Sequence, residues 1–241
     1  MAVSVDTVYQ RVLGILNKEQ RGYVTPQEFN LFANQAQLDI FEQYFYDINQ
    51  FGRLPGNSTE YSDMLTLLNE KINLFETTSP MTYSGGYFIL PNNLYRLGSI
   101  IYTNTTTNSF GVVSNEDIEV ERINKNEFLY INASPLTKPK NVRPIYIADT
   151  NGIKAYGNSP LAAGVKCNYI KTPAKVEWGY QMVYNEALYD QTRSQDFELH
   201  ASEETDLVLK VLALAGVSTM VNDVYALAAQ EEASKNQQEK S

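Results

Sequence analysis

The chain has very little of the residue types on which disulfides, metal sites and histidine-based catalysis depend. Its 241 residues include one cysteine, Cys167, and one histidine, His200. A single cysteine excludes an intramolecular disulfide and any zinc site built on several cysteines. Because a catalytic triad would have to rest on His200 alone, we expect a structural histidine at a helix edge. We expect Cys167 to be a buried, inert thiol within a strand.

Segments that direct a chain into or across a membrane are also missing. No apolar run approaches the roughly 20 residues that a membrane-spanning helix needs. Residues 1–18 have no basic start followed by an apolar block. We therefore expect neither secretion nor membrane insertion.

Motifs for phosphate, calcium or carboxylate chemistry are weak or incomplete. Ser84-Gly85-Gly86 is a turn and not a strand-to-helix crossover, so no phosphate cradle is expected. The segment from Asp149 begins like a calcium loop, but its twelfth residue is Pro160. Glu119 and Glu121 could form the acid pair of a hydrolase, yet they alternate with apolar residues as on a solvated strand face. We expect no enzyme activity, cofactor or metal, with an acid-pair hydrolase as the last-ranked hypothesis.

Positive charge is concentrated in the middle of the chain. Residues 133–175 hold seven Lys and Arg against one acid, whereas 1–132 hold eight against fifteen and 186–241 hold four against eleven. A basic region between two acidic ones favours contact of the basic region with a polyanion, or with the acidic face of another copy of the chain. A like-charged run can also be simply a solvated face. The cations of this basic stripe are Lys138, Lys140, Arg143, Lys154, Lys166, Lys171 and Lys175.

The first third of the chain has the periodicity of helices. Apolar residues recur every three to four positions and predict helices at 5–20, 26–50 and 60–75. The second start is the clearest, because Thr25 and Glu28 can form a capping box around a first-turn proline.

The middle of the chain has the pattern of six to eight short strands. Asn151-Gly152 predicts a hairpin turn between two of them. Residues 104–108 are expected to be a polar loop, and Asn124 is expected to cap a short helix through Ile131. The predicted strand segments are 87–90, 97–102, 112–113, 118–122, 145–147, 153–156, 165–170 and 176–183.

The last quarter returns to a helical pattern. Ser202 is expected to cap a helix that ends near Gly216, and a final helix is expected from about Thr219. The polar tail at 230–241 has nothing to bury. The fold class is therefore α+β. The predicted parts are an N-terminal helical part at 1–80, a β-rich part at 81–185, and C-terminal helices with a polar tail at 186–241.

The basic stripe admits a nucleic-acid interpretation. Its cations are interleaved with Tyr146, Tyr156 and Tyr169, a combination that suits stacking and phosphate contact in a groove for single strands. The dominance of lysine fits non-specific phosphate contact better than base reading. A nucleic-acid-binding module is thus an alternative function.

The layout as a whole, with the passage Leu90–Leu97 and the turn Ser134–Pro139, resembles structural proteins of tailed bacteriophages. More narrowly, it is similar to the adaptor or ring proteins of the neck in short-tailed phages. The resemblance implies that N- and C-terminal helices pack as one body with the β-rich part inserted between them. It carries over no catalytic residue.

The same resemblance implies a role in assembly. The protein would form a ring, commonly of twelve copies, that surrounds double-stranded DNA and joins the portal protein to the tail or to further neck rings. It would be located in the virion neck after assembly in the host cytoplasm, and another virion structural role is an alternative. The tail would dock on the portal through Gln230, Glu231, Glu232 and Lys235.

Overall fold

The computed structural model divides the chain into two compact units. The helical unit comprises Met1–Leu74 and Pro173–Ser241, and the β unit comprises Phe75–Thr172. The boundaries predicted from the sequence, 80/81 and 185/186, lie six and thirteen residues later. The residues that the structure describes are 3–18, 24–51, 59–107, 113–184, 186–218 and 230.

The described residues form five α-helices and eleven strands, which makes the class α+β as predicted. Short 3-10 turns at Gln191–Arg193 and Ala201–Glu203 precede the last helix. The helices are α1 (Val5–Lys18), α2 (Pro26–Phe51), α3 (Thr59–Asn73), α4 (Lys125–Ala133) and α5 (Glu204–Ser218). The strands are β1 (Glu76–Pro80), β2 (Thr82–Ser84), β3 (Tyr87–Ile89), β4 (Leu94–Thr107), β5 (Val113–Glu119), β6 (Glu121–Arg122), β7 (Ile145–Asp149), β8 (Gly152–Tyr156), β9 (Val165–Lys171), β10 (Tyr180–Val183) and β11 (Glu186–Tyr189).

The three predicted N-terminal helices are present, and the capping box of α2 is confirmed. The Thr25 N–H donates to Glu28 Oε2 at 3.0 Å, and the Glu28 N–H donates to Thr25 Oγ1 at 3.3 Å. These bonds satisfy two backbone donors that the first turn of a helix leaves free. Hydrogen bonds from the Thr25 backbone and side chain lower the pKa of Glu28.

Helix α2 is the central element of the helical unit. It packs against α3 and α5, and α1 packs against α5. The buried face of α2 includes Phe29, Ala33 and Phe41, none of which is exposed to solvent. The first and the last described helices, α1 and α5, therefore pack in the same apolar core.

A second face of α2 is hydrogen-bonded to the extended segment 174–178, which enters the helical unit from the β unit. Asn34 accepts from the Val176 N–H at 2.9 Å and donates to the Val176 carbonyl at 2.8 Å. Asn30 accepts from the Trp178 N–H at 2.8 Å and donates to the Trp178 carbonyl at 3.4 Å. Each side-chain amide thus takes the place of one residue of a neighbouring strand.

Gln37 continues this series of amides by one helical turn. It donates to the Ala174 carbonyl at 2.8 Å and accepts from the Glu198 N–H at 3.1 Å. The spacing of the amides along α2 is close to the spacing of alternate residues along the segment. Three or four helical residues rise about 4.5–6 Å, and two residues of extended chain advance about 6.6 Å. We call Asn30, Asn34 and Gln37 the amide ladder.

The β unit consists of two sheets that share one core. The strand orders are β1-β9-β4-β5 and β2-β3-β8-β7-β6, antiparallel except for the parallel pair β6 and β7. The chain passes from one sheet to the other at Met81 and again at Val120, and both residues are buried. The core takes residues from both sheets, including Ile100 and Cys167 from one and Phe88 and Ile153 from the other.

The hairpin predicted from Asn151-Gly152 is present between β7 and β8. Asp149 pairs with Gly152 across the turn, and Gly152 has a φ of +137°. A Cβ atom at this position would lie 2.4 Å from the Phe88 carbonyl oxygen. Glycine is therefore required both by the backbone conformation and by the neighbouring strand.

Several predicted strand boundaries are wrong. Residues 104–107 are not a loop, because β4 continues through them and pairs with β5 as far as Thr107 and Val113. The predicted strand 118–122 is interrupted at Val120, where the chain changes sheets. The segment 176–183 is a strand only from Tyr180, because the amide ladder bonds Val176 and Trp178. The β1 and β2 strands were missed because their residues are largely Ser and Thr.

The predicted helix ends also need correction. Asn124 has the backbone conformation of a cap, but its side chain makes no cap hydrogen bond. The cap before α5 is His200, whose side chain accepts from the Ser202 N–H, and α5 runs past Gly216. The region assigned to C-terminal helices also contains β11. The final helix predicted from Thr219 and the tail beyond residue 230 lie outside the described residues.

No helix in the described part of the chain combines the length and the apolarity that a membrane span requires.

The amide ladder makes a direct prediction about stability. Asn34→Leu should lower the free energy of unfolding by about 2–4 kcal/mol, because the N–H and carbonyl of Val176 lose their partners. Val176 is 2% exposed, so water reaches these groups poorly. The measurement is urea unfolding followed by fluorescence of Trp178, the only tryptophan.

Gln35→Ala is the matched control, since Gln35 is an exposed amide on the same helix. Its side chain donates to Asp39 Oδ1 on the same helix, in a hydrogen bond exposed to solvent, so a change within about 0.5 kcal/mol is expected. Equal unfolding midpoints for the two variants would contradict the role of the ladder.

Candidate interaction surfaces

The structure does not gather the seven cations of the basic stripe into one group. Lys175 belongs to the helical unit, and the other six belong to the β unit. Lys154 lies on β8, whereas Lys166 and Lys171 lie on β9 of the other sheet. Only Lys138, Lys140 and Arg143 share one short loop, between α4 and β7.

That loop has a defined backbone structure. The N–H of Lys140 donates to the Arg143 carbonyl at 3.2 Å, and the reverse bond measures 2.9 Å. Thr137 Oγ1 donates to the Ile131 carbonyl at 3.0 Å, which ties the start of the loop to the last turns of α4. The loop and α4 therefore form one local structure.

Part of the positive charge is balanced by the acids at 116–121. Arg143 Nη2 lies 3.0 Å from Glu121 Oε2, and Lys166 Nζ lies 3.9 Å from Asp117 Oδ1. These pairs are exposed, and such pairs contribute about 0–1 kcal/mol to stability. Among the described residues, Lys138 and Lys140 are exposed and have no acidic partner.

The charge imbalance follows the two units more closely than it follows the thirds of the sequence. The β unit holds nine Lys and Arg against seven Asp and Glu, a formal charge of +2. The helical unit holds ten against twenty-one, a formal charge of −11. The protein therefore combines a strongly acidic unit with a weakly basic one.

The tyrosines of the stripe do not form a stacking groove open to solvent. Tyr146 and Tyr169 are each 6% exposed and belong to the core of the β unit. The Tyr156 ring lies 4.5 Å from the Phe128 ring. Lys154 Nζ lies 4.4 Å from the Tyr87 ring centre, and a hydrogen bond to Tyr87 raises the pKa of Lys154.

The acid pair lines a shallow cavity of about 340 Å³ in the β unit. Glu119 and Glu121 are exposed, and Glu121 is paired with Arg143. A carboxyl that serves as a catalytic acid is usually held in apolar surroundings that raise its pKa. The geometry therefore adds no support to the hydrolase hypothesis. The cavity is lined by Gly98, Ser99, Ile100, Glu119, Val120, Glu121, Arg122 and Tyr146.

Cys167 and His200 occupy structural positions. Cys167 is fully buried, its Sγ lies 3.6 Å from the Ser79 carbonyl oxygen, and burial raises the pKa of the thiol. His200 Nδ1 accepts from the Ser202 N–H at 3.2 Å and so caps the 3-10 turn before α5. Within the described ranges, no cluster of three or more His, Cys, Asp or Glu could hold a metal ion.

An exposed apolar surface on α4 and the loop that follows it was not predicted from the sequence. No residue of α4 is buried. The exposed fractions are 73% for Leu129, 80% for Tyr130, 92% for Leu136 and 66% for Val142. We call these four residues, with Lys138 and Lys140, the α4 surface. The only signal in the sequence was the run of large apolar residues beside the three cations.

A second exposed apolar surface lies on α2, on the side away from the core. Leu31 is 71% exposed, Leu38 is 38% exposed and Tyr46 is 65% exposed. Asp39 and Glu42 lie between them in sequence, and α2 contains no Lys or Arg. We call these five residues the α2 outer face.

No protein-family model matches the chain, and no curated protein is significantly similar to it.

The position of Cys167 predicts low reactivity. Ellman's reagent should modify the folded protein at least about 100-fold more slowly than the unfolded protein in urea, because a buried thiol exposes no thiolate to the reagent. Absorbance at the reagent's product band gives both rates. Rapid modification without denaturant would contradict the described packing around Cys167.

Proposed function

We propose that this protein is a non-enzymatic structural component of a tailed-phage virion, a neck ring that connects the portal to the tail. Support comes first from the layout that the phage resemblance implies. Helices from both ends of the chain belong to one unit, and the β unit is inserted between them. The two exposed apolar surfaces, the α4 surface and the α2 outer face, also suit a protein that works by contact with other proteins.

The observation that carries the proposal is the division of charge between the two units. A unit of −11 and a unit of +2 in one chain give each copy an acidic part and a more basic part. In a closed ring every subunit uses one surface to meet a different surface of its neighbour. Charge of opposite sign on the two surfaces favours such head-to-tail contact over like-to-like pairing.

The ring would have two partners, double-stranded DNA and the portal protein. Double-stranded DNA would pass through the centre, and weak contacts of unpaired lysines with phosphate would tolerate its movement because they carry no sequence preference. The C-terminal tail, with Gln230, Glu231, Glu232 and Lys235, would dock on the portal protein. Binding of single-stranded nucleic acid by the β unit is the competing function, and the two unpaired lysines Lys138 and Lys140 favour it.

The proposal predicts self-assembly of the full chain. Mass photometry at rising protein concentration, with and without the portal protein, should show one closed species, and images of it should have rotational symmetry. The complex should form with portal and be present in purified particles.

A protein that stays monomeric, does not bind portal and is missing from particles would refute the neck-ring function. Strong binding to a single-stranded oligonucleotide at physiological salt, with no assembly, would favour the competing function. Electrostatic binding of that kind should fall steeply as salt is raised.

A further inference from the structure

Two surfaces of this protein expose several large apolar side chains to solvent. The α4 surface exposes two-thirds or more of Leu129, Tyr130, Leu136 and Val142. Single exposed apolar residues are normal, whereas four that are close together in one short structured segment make that segment a candidate contact site. The large aromatic ring of Tyr130, which is 80% exposed, is the type of side chain that most often anchors an interface.

The α4 surface also has a defined sign of charge. Lys138 and Lys140 lie in the loop beside the apolar residues and are exposed without acidic partners in the described structure. The neighbouring Lys125 and Arg143 are each held by an acid, Asp149 and Glu121 respectively. Glu127 on α4 is exposed as well, so Lys138 and Lys140 together outweigh it and leave a charge of about +1 on α4 and its loop.

The α2 outer face has the opposite sign. Leu31, Leu38 and Tyr46 recur at seven- and eight-residue intervals, which is two helical turns, so they form a stripe along one side of the helix. Asp39 and Glu42 belong to the same side, and no cation of α2 offsets them. At 100° per residue, Glu42 lies within the stripe, between Leu38 and Tyr46, and Asp39 lies at its edge beside Tyr46.

We propose that the α4 surface of one copy docks on the α2 outer face of the next copy. This inference rests on the proposed function, because it names the two surfaces through which the ring would close. The apolar residues of both surfaces would leave water together, and Lys138 and Lys140 would face Asp39 and Glu42. Complementary charge at an interface rim guides association and excludes wrong partners.

The choice of a second copy as the occupant follows from complementarity within one chain. The two surfaces lie in different units, so each copy carries both. A copy can therefore bind one neighbour through its α4 surface and another through its α2 outer face. Such a contact is heterologous, and it produces a ring when the rotation from copy to copy closes. A like-to-like contact would instead bring Lys138 and Lys140 against their own counterparts.

One-sided variants test this inference. Tyr130→Asp removes the α4 surface, and Leu31→Asp removes the α2 outer face. Each variant alone should need a roughly tenfold or higher concentration to assemble, because truncation of a central interface anchor costs about 2 kcal/mol or more. An equimolar mixture should give a one-to-one dimer and nothing larger, because only one pair of intact surfaces remains.

A charge exchange provides a second arm that does not alter the apolar residues. The paired substitutions Lys138→Glu and Lys140→Glu, or Asp39→Lys and Glu42→Lys, should each weaken assembly to a similar degree. A chain carrying all four should recover at least part of the lost assembly, because the opposite charges face each other again. Leu67→Asp is the matched control: it places the same charge on α3 at a leucine that is 53% exposed, and it should assemble like the unsubstituted chain.

The outcomes separate this inference from the proposed function. If the unsubstituted chain forms rings and both one-sided variants form them equally well, the ring stands and the interface is wrong. If the unsubstituted chain never assembles, does not bind portal and is missing from particles, the ring and the interface are both wrong. If Tyr130→Asp weakens only binding to portal or to a DNA duplex, the α4 surface serves that partner and the self-contact is refuted. Circular dichroism and Trp178 fluorescence verify folding, and the charge variants replace any aspartate variant that does not fold.

Discussion

The structure of the helical unit depends on three side-chain amides that bond an extended segment to a helix. The amide ladder bonds backbone groups of Ala174, Val176 and Trp178. No described strand lies beside those groups to pair with them, so the side chains of the ladder take that role. Buried backbone groups without partners would cost about 1–3 kcal/mol each. The ladder therefore determines where the chain returns from the β unit, and it places Trp178 in the core that α1 and α2 form.

The ladder also determines how α2 is rotated about its axis. One side of the helix lies in the core, the adjacent side is occupied by segment 174–178, and the side that remains carries Leu31, Leu38 and Tyr46. A rotation that buried these residues would break the amide bonds. The α2 outer face is thus exposed for a structural reason, and its apolar and acidic character is available for contact with another molecule.

Local signals in the sequence were sufficient for part of this structure. The capping box of Thr25 and Glu28 and the hairpin at Gly152 were predicted because each depends on residues close together in the chain. The ladder could not be predicted, since Asn34 and Val176 are 142 positions apart and Asn34 is an ordinary polar residue in a helix. The uneven distribution of charge along the chain was recognised from the sequence. Its division into one acidic and one weakly basic unit was not, because the sequence does not show which acids and cations belong to the same folded unit. The two apolar surfaces were missed because exposure is a property of the packed chain.

The most direct test of the account is a three-dimensional reconstruction of the assembled, unsubstituted protein. We predict a closed ring in which the α4 surface of each copy covers the α2 outer face of its neighbour, with Tyr130 against the stripe of Leu31 and Leu38. An assembly in which identical surfaces face each other across a two-fold axis, or in which Leu31 and Tyr130 both remain in solvent, would contradict it.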